Sequence, residues 1–165
     1  MYRHPYTAKK VLFAVSEEPQ CEKAFEYYAK NLHDKRDPVT LLNIVIPDIS
    51  YTDGRLAPLG PDVLHLQYDQ DEKYKKTEEL LEGYLKKCQE MDLKCSKKAL
   101  VLKTGKISDE IVSFAKEQAD MIVMSGGRHS SFETLFLGSV TFNTIQKAMI
   151  PVLVIPKMEE EKSIK

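Results

Sequence analysis

The sequence predicts an α/β fold in which helices cover both faces of an open parallel sheet, and three observations predict it. Short apolar runs without alternation, VLFAV, VTLLNIVI and PVLVI, recur along the chain, and runs of that kind suit strands buried on both faces. Between them lie segments whose apolar residues fall at steps of three and four, one face of an amphipathic helix. Strand and helix alternate, which is the order of β-α-β units on a parallel sheet.

Taken in order, Val11 to Val15 reads as the first strand. Polar SEEPQ follows, and then Cys21, Ala24, Phe25, Tyr28, Ala29 and Leu32 form the apolar face of a helix. Asp37–Pro38 breaks that helix, and Val39 to Ile46 is a second buried strand ended by Pro47, because proline removes a ladder donor. From Pro47 to about Asp62 the turn signals Asp53–Gly54, Pro58 and Gly60–Pro61 predict a long loop, of a length that often serves as a lid. A long charged helix comes next, with Tyr74, Thr77, Leu81, Tyr84, Leu85, Cys88 and Met91 on one side and Gly83 within it. Ala99 to Leu102 reads as the third strand, closed by a turn at Gly105. Ser108 then stands as an N-cap with Asp109 and Glu110 in the first turn, and Ile111, Val112, Phe114 and Ala115 give that helix its apolar side. MIVM from Met121 is the fourth strand, Val140 to Met149 a helix, and Pro151 to Ile155 the fifth strand.

The 165 residues fit one domain, with a core from about residue 9 to 156 and a charged tail over 157–165. Twenty-four basic against 25 acidic side chains leave a net charge of −1, so overall charge points to neither nucleic acid nor an anionic membrane as partner. Mixed-sign stretches such as KYKK and its acidic neighbours read as a solvated helix face. Cys21, Cys88 and Cys95 show no C-x-x-C and no histidine at metal-ligand spacing. No disulfide framework or zinc site is expected, Cys21 and Cys88 on their helical apolar stripes are read as buried thiols acting as small hydrophobes, and a reducing compartment fits. VLFAV is too short for a signal-peptide core and no run reaches membrane-span length, so the expectation is a soluble, cytoplasmic protein.

Open sheets of this kind bind ligands beyond the carboxyl ends of their strands. The loops after Val15, Ile46 and Met124 are therefore the ones of interest. After Met124 the chain reads SGGRHSSFETLFLGSV. Glycines let backbone N–H groups approach an anion, and a helix N-terminus supplies free donors and a partial positive charge. Ser125, Gly126 and Gly127 offer such a nest, Arg128 and His129 add side-chain donors, and Gly138–Ser139 opens the next helix. The competing reading is a sharp turn between a buried strand and a helix. Neither G-x-x-x-x-G-K-[ST] nor a G-x-G-x-x-G after the first strand is present, which disfavours both of those nucleotide folds. SGGRHS also departs from the SGG-x-D-S loop of adenylating ATP pyrophosphatases, in its position and in carrying His129 for Asp. Catalysis has little support: His4, His33 and His65 join no convergent cluster, and a lone His129 is no triad, although slow ATP hydrolysis stays open.

KKVLFAV, the Ala24 to Ala29 helix, VTLLNIV, TGKISDEIVSFAKEQADMIVM and LFLGSVTFNTIQKAMIPVLVIP together resemble the universal stress protein family, from about Lys9 to Pro156. The resemblance implies a Rossmann-like, adenine nucleotide alpha hydrolase-like fold whose five parallel strands run in the order 3-2-1-4-5, and a homodimer formed through the last strand, here Val152 and Val154. It also implies a role in stress response and an ATP or AMP site, with magnesium as an accompanying ion. The nucleotide-binding residues carried over are Ala14, Val15, Ser16, Ile44, Met124, Gly126, Gly127, Arg128, His129, Gly138, Ser139, Val140 and Thr141. Their motif in the family is G-x-x-G, nine residues, then G-[ST]. Here Ser125 and Arg128 occupy the first two glycine positions, while Gly138–Ser139 is intact. Ser16 stands where an Asp near the adenosine is usual, and Asn43–Ile44 where many members carry His–Val with the backbone facing adenine. The alternative is a member that has given up nucleotide and acts as a dimeric interaction module.

Overall fold

The computed structural model describes residues 7–47, 63–103, 105–126 and 137–157. In chain order these form β1 (Val11–Ala14), α1 (Pro19–Asn31), β2 (Val39–Val45), α2 (Val63–Glu90), β3 (Cys95–Val101), α3 (Ile107–Gln118), β4 (Met121–Ser125), α4 (Ser139–Lys147) and β5 (Val152–Ile155). The strands make one sheet in the order β3-β2-β1-β4-β5, and every pairing is parallel. Most of the loop expected from Pro47 to Asp62 lies outside the described residues.

Alternation along β1 sorts the core into two layers. Val11, Phe13 and Val15 pack with Cys21, Phe25 and Tyr28 of α1 and Leu81, Tyr84 and Cys88 of α2. Leu12 points the other way, into Leu42, Ile122 and Met124 of the sheet and Ile111 and Ala115 of α3. Both faces of the central strands are thus covered, which is why they read as unbroken apolar runs. Edge-to-face contacts of Phe25 with Phe13 and Tyr84, at centroid distances of 5.1 and 5.3 Å, join α1 to β1 and to α2.

Three expectations need correction. β3 begins at Cys95, four residues before the expected start at Ala99. Its first half, CSKK, is not apolar because β3 is an edge strand, and Lys97 reaches Glu78 and Glu82 of α2 at 2.5 and 2.6 Å. The N-cap of α3 is Lys106, not Ser108, which lies inside the first turn and is buried. The capping contact is supplied by Asp109, whose Oδ2 accepts the Lys106 N–H at 3.4 Å. Finally, Cys88 and Cys95 are joined in a disulfide, with their Cα atoms 6.2 Å apart. The helix ends between them in a tight reversal: Asp92 adopts φ 58°, the Asp92 N–H donates to the Gln89 carbonyl, and the Leu93 N–H donates to the Cys88 carbonyl. That turn, and no short cysteine motif, brings the two sulfurs together. Cys21 is the free thiol.

Candidate functional site

A cavity of about 370 Å³ opens at the carboxyl ends of β1, β2 and β4, the place where strand order reverses in a sheet of this kind. All the described candidates, Ala14, Val15, Ser16, Ile44, Met124, Gly126, Gly138, Ser139, Val140 and Thr141, line it. Gly127, Arg128 and His129 lie outside the described residues. Its size is within the range of small-molecule sites.

The wall from β2 is main chain. The Val15 N–H donates to the Leu42 carbonyl at 2.8 Å, and the Leu102 N–H to the Val45 carbonyl at 2.8 Å. Backbone groups of successive strand residues point to opposite sides, so Leu42 and Ile44 face β1 whereas Val45 faces β3. β1 ends at Ala14. The N–H and C=O of Ile44 therefore look past the end of β1 into the cavity, and neither bonds to the β1 chain among the described residues.

The loop after β1 is held from beneath. The Ser16 N–H donates to Cys21 Sγ at 3.3 Å, and the Cys21 thiol reaches the Ala14 carbonyl at 3.5 Å. Cys21 thus works as a hydrogen-bonding group as well as a core filler. Beside it is Tyr84, whose phenol is pushed far above its usual range, first by burial and then by Cys21, and so stays protonated. A second clamp runs through Asn43: its Nδ2 donates to the Val15 carbonyl at 2.7 Å, and Thr77 Oγ1 of α2 donates to its Oδ1 at 3.2 Å.

The opposite wall is the start of α4. Gly138 is its N-cap, in extended conformation, and the Phe142 N–H closes the first turn on the Gly138 carbonyl at 2.9 Å. The N–H groups of Ser139, Val140 and Thr141 precede that bond and have no intrahelical acceptor. No acidic residue sits in this first turn, so no carboxylate of the turn itself offsets the partial positive charge of the helix end at the cavity. Thr141 Oγ1 donates to the Ser125 carbonyl at 3.3 Å, fastening α4 to the end of β4.

Gly126 is not the free donor that a nest would need. Its N–H donates to the Ile155 carbonyl at 2.7 Å and carries the β4–β5 ladder one step further. Ser125, expected as part of the nest, lines the cavity too, as do Glu18, Leu42, Asn43 and Ile107, which were not among the candidates. Leu42 and Ile107 are apolar residues with no local motif to mark them, and Glu18 gave no signal beyond following the first strand. His33 lies on the turn between α1 and β2, at the other end of the strands, and takes no part. Among the described residues no His, Cys, Asp or Glu cluster could hold a metal ion, and no helix is long and apolar enough to cross a membrane.

The same architecture is found in solved structures. The universal stress protein UspA from Lactobacillus plantarum superimposes with a TM-score of 0.70 at 16% identity, over 91% of this chain and 99% of that one. A universal stress protein family protein from Arabidopsis thaliana, with AMP bound, gives 0.63 at 19% identity over 94% and 97%. The universal stress protein from Archaeoglobus fulgidus in complex with dAMP gives 0.61 at 22% identity over 88% and 96%. At such identities the likeness is one of fold. Comparison with curated proteins yields no match. The family model for the universal stress protein family matches residues 7–156, nearly the whole chain, and this protein belongs to the universal stress protein family.

Proposed function

We propose that the chain is a regulatory protein of the stress response that binds ATP or AMP in the cavity between β1, β2, β4 and α4. One observation carries the reading: a single cavity places the backbone edge of Ile44 on one side and the N-terminus of α4 on the other, both without a backbone partner among the described residues. A neighbouring N–H and C=O suit a heterocycle with an adjacent acceptor and donor, as adenine has at N1 and N6. The free amides of α4 suit a phosphate. The relatives with AMP and dAMP bound add support. Ser16, a neutral hydroxyl, is placed to hold the ribose through one hydrogen bond, and magnesium would be carried by the phosphates of ATP and not by a protein cage.

Dimerisation through β5 belongs to the same reading. β5 is an edge strand that contributes Val152 and Val154, and Phe142, Ile145 and Met149 expose apolar surface along α4 and just after it. An uncovered apolar edge favours pairing with a second copy. Sedimentation at micromolar concentration should give a dimer, and a monomer would count against it.

The binding test is calorimetric titration of nucleotide-stripped protein with ATP and AMP, with and without magnesium, on the wild type and on Ser139→Pro. Proline is tolerated at the first helical position and deletes one free N–H. Binding by the wild type, weakened roughly tenfold by Ser139→Pro at unchanged melting temperature, is the expected result for one lost charge-assisted hydrogen bond. Absence of heat with either nucleotide would overturn the reading and favour the interaction-module alternative.

A further inference from the structure

The β1–β2 ladder stops one bond early, at a carbonyl that a side chain holds. Val11 is paired with Val39 and Ala14 with Leu42. The Val11 N–H donates to the Pro38 carbonyl at 2.9 Å and the Val15 N–H to the Leu42 carbonyl at 2.8 Å. In a parallel ladder of that register each β2 residue facing β1 receives from the strand and donates back to it, two residues at a time. The next bond in the series would run from the Ile44 N–H to the Val15 carbonyl. It is not made. The Val15 carbonyl is held instead by Asn43 Nδ2 at 2.7 Å.

We infer that Asn43 is a positioning residue that arrests the ladder at Val15, keeping the Ile44 N–H available to a ligand. The ligand half of this inference rests on the nucleotide reading above, whereas the arrest itself does not. Asn43 is suited to the task because its amide carries a donor for the Val15 carbonyl and an acceptor for a second anchor. Thr77, 7% exposed on α2, supplies that anchor by donating to Oδ1 at 3.2 Å. The anchor decides which way the amide faces: rotated by half a turn, Oδ1 would meet the Val15 carbonyl, acceptor against acceptor. An aliphatic residue at position 43 would leave the Val15 carbonyl without a partner, and the nearest donor in register is the Ile44 N–H. α2 thereby acts on the ligand edge through two side chains without touching the ligand.

The test is amide hydrogen exchange at Ile44 in ligand-free protein, by NMR, on wild type, Asn43→Ala, Thr77→Val and Thr77→Ser, with AMP titrations in parallel. The arrest predicts fast exchange of the Ile44 amide in the wild type and in Thr77→Ser. It predicts at least tenfold slower exchange in Asn43→Ala, where the amide gains a ladder partner, and an intermediate rate in Thr77→Val. AMP affinity should fall roughly tenfold in Asn43→Ala, the weight of one hydrogen bond, and be kept in Thr77→Ser. Equal Ile44 exchange in wild type and Asn43→Ala, or an Ile44 amide already protected in the wild type, would overturn the inference. If Asn43→Ala does not fold, the pair Thr77→Val and Thr77→Ser decides it by the same readout. A wild type that binds no AMP would sink the nucleotide reading, and the exchange rates would still decide the arrest.

Discussion

Gly126 stands so close to Ile155 that a side chain on it would crowd the backbone at the end of β5. The Gly126 N–H donates to the Ile155 carbonyl at 2.7 Å, and a Cβ on Gly126 would lie 3.3 Å from that oxygen and 3.3 Å from Pro156 Cα. Both neighbours are main chain, one of them locked in the β4–β5 ladder, so neither yields as a flexible side chain would. Gly126→Ala should therefore lower stability by about 1 kcal/mol, the overpacking cost exceeding the gain from a stiffer unfolded chain. Urea unfolding should show a lower midpoint at unchanged slope.

The Cys88–Cys95 disulfide closes a short loop of sequence separation 7. Loop-closure entropy for so short a loop is worth about 2 kcal/mol. Unfolding under reducing conditions should show a loss of that size relative to non-reducing conditions, and Cys88→Ala/Cys95→Ala should abolish the difference. Alkylation in denaturant without reductant should label Cys21 alone. Three labels in the unreduced protein would show the pair to be dithiol.

His33 provides a pH dependence away from the cavity. Its Nδ1 lies 3.0 Å from the Tyr28 hydroxyl, and its Nε2 is buried with no hydrogen-bond partner among the described residues. Burial lowers the pKa of the imidazole below its usual value, opposed by the nearby carboxylates of Asp37 and Asp34. The unfolded chain thus binds the proton more readily than the folded one, so stability rises with pH in this range. The contribution is present above the ordinary histidine pKa of roughly 6.5 and is lost as pH falls through that value towards the folded pKa. Between pH 8 and pH 5, His33→Asn should lose less stability than the wild type, and the His33 ring should titrate below its unfolded midpoint by NMR.

Asp92 closes α2 in the left-handed region, at φ 58°. Glycine adopts that conformation without steric cost. Its ion pair with Lys35, at 3.4 Å, joins two well-exposed side chains and contributes little. Asp92→Gly should raise stability by up to about 1 kcal/mol, seen as a higher melting temperature. A decrease would mean that the Asp92 side chain has a role beyond the turn.

Local patterning alone carried most of the fold. VLFAV and VTLLNIVI are unbroken because helices bury their strands from both sides, PVLVI is apolar although β5 is an edge strand in which only Ile155 is buried, and the three-and-four spacing of Cys21, Phe25 and Tyr28 reports the face that meets β1. Where a strand lies at an edge, as with CSKK in β3, one face answers to charged neighbours from a helix and the apolar signal fails. Helix starts were less legible still. Ser108 looks like a cap, yet the chain turns at Gly105, whose φ of 84° sets Lys106 in that place.

For the cavity, the sequence by itself determined which strand ends converge and which short motif, Gly138–Ser139, opens α4, since both follow from strand order and helix-start chemistry. Only the tertiary structure decided what the backbone does there. It commits the Gly126 N–H to Ile155, leaves that of Ile44 unbonded to Val15, and brings Asn43, Thr77 and Val15 into one chain of bonds. It also joined Cys88 to Cys95 across a helix end. The physical reason is common to all four. Periodicity reports which face of an element is buried, whereas a hydrogen bond or disulfide between elements depends on where each chain ends relative to its neighbour, and that register is set by packing across the whole sheet.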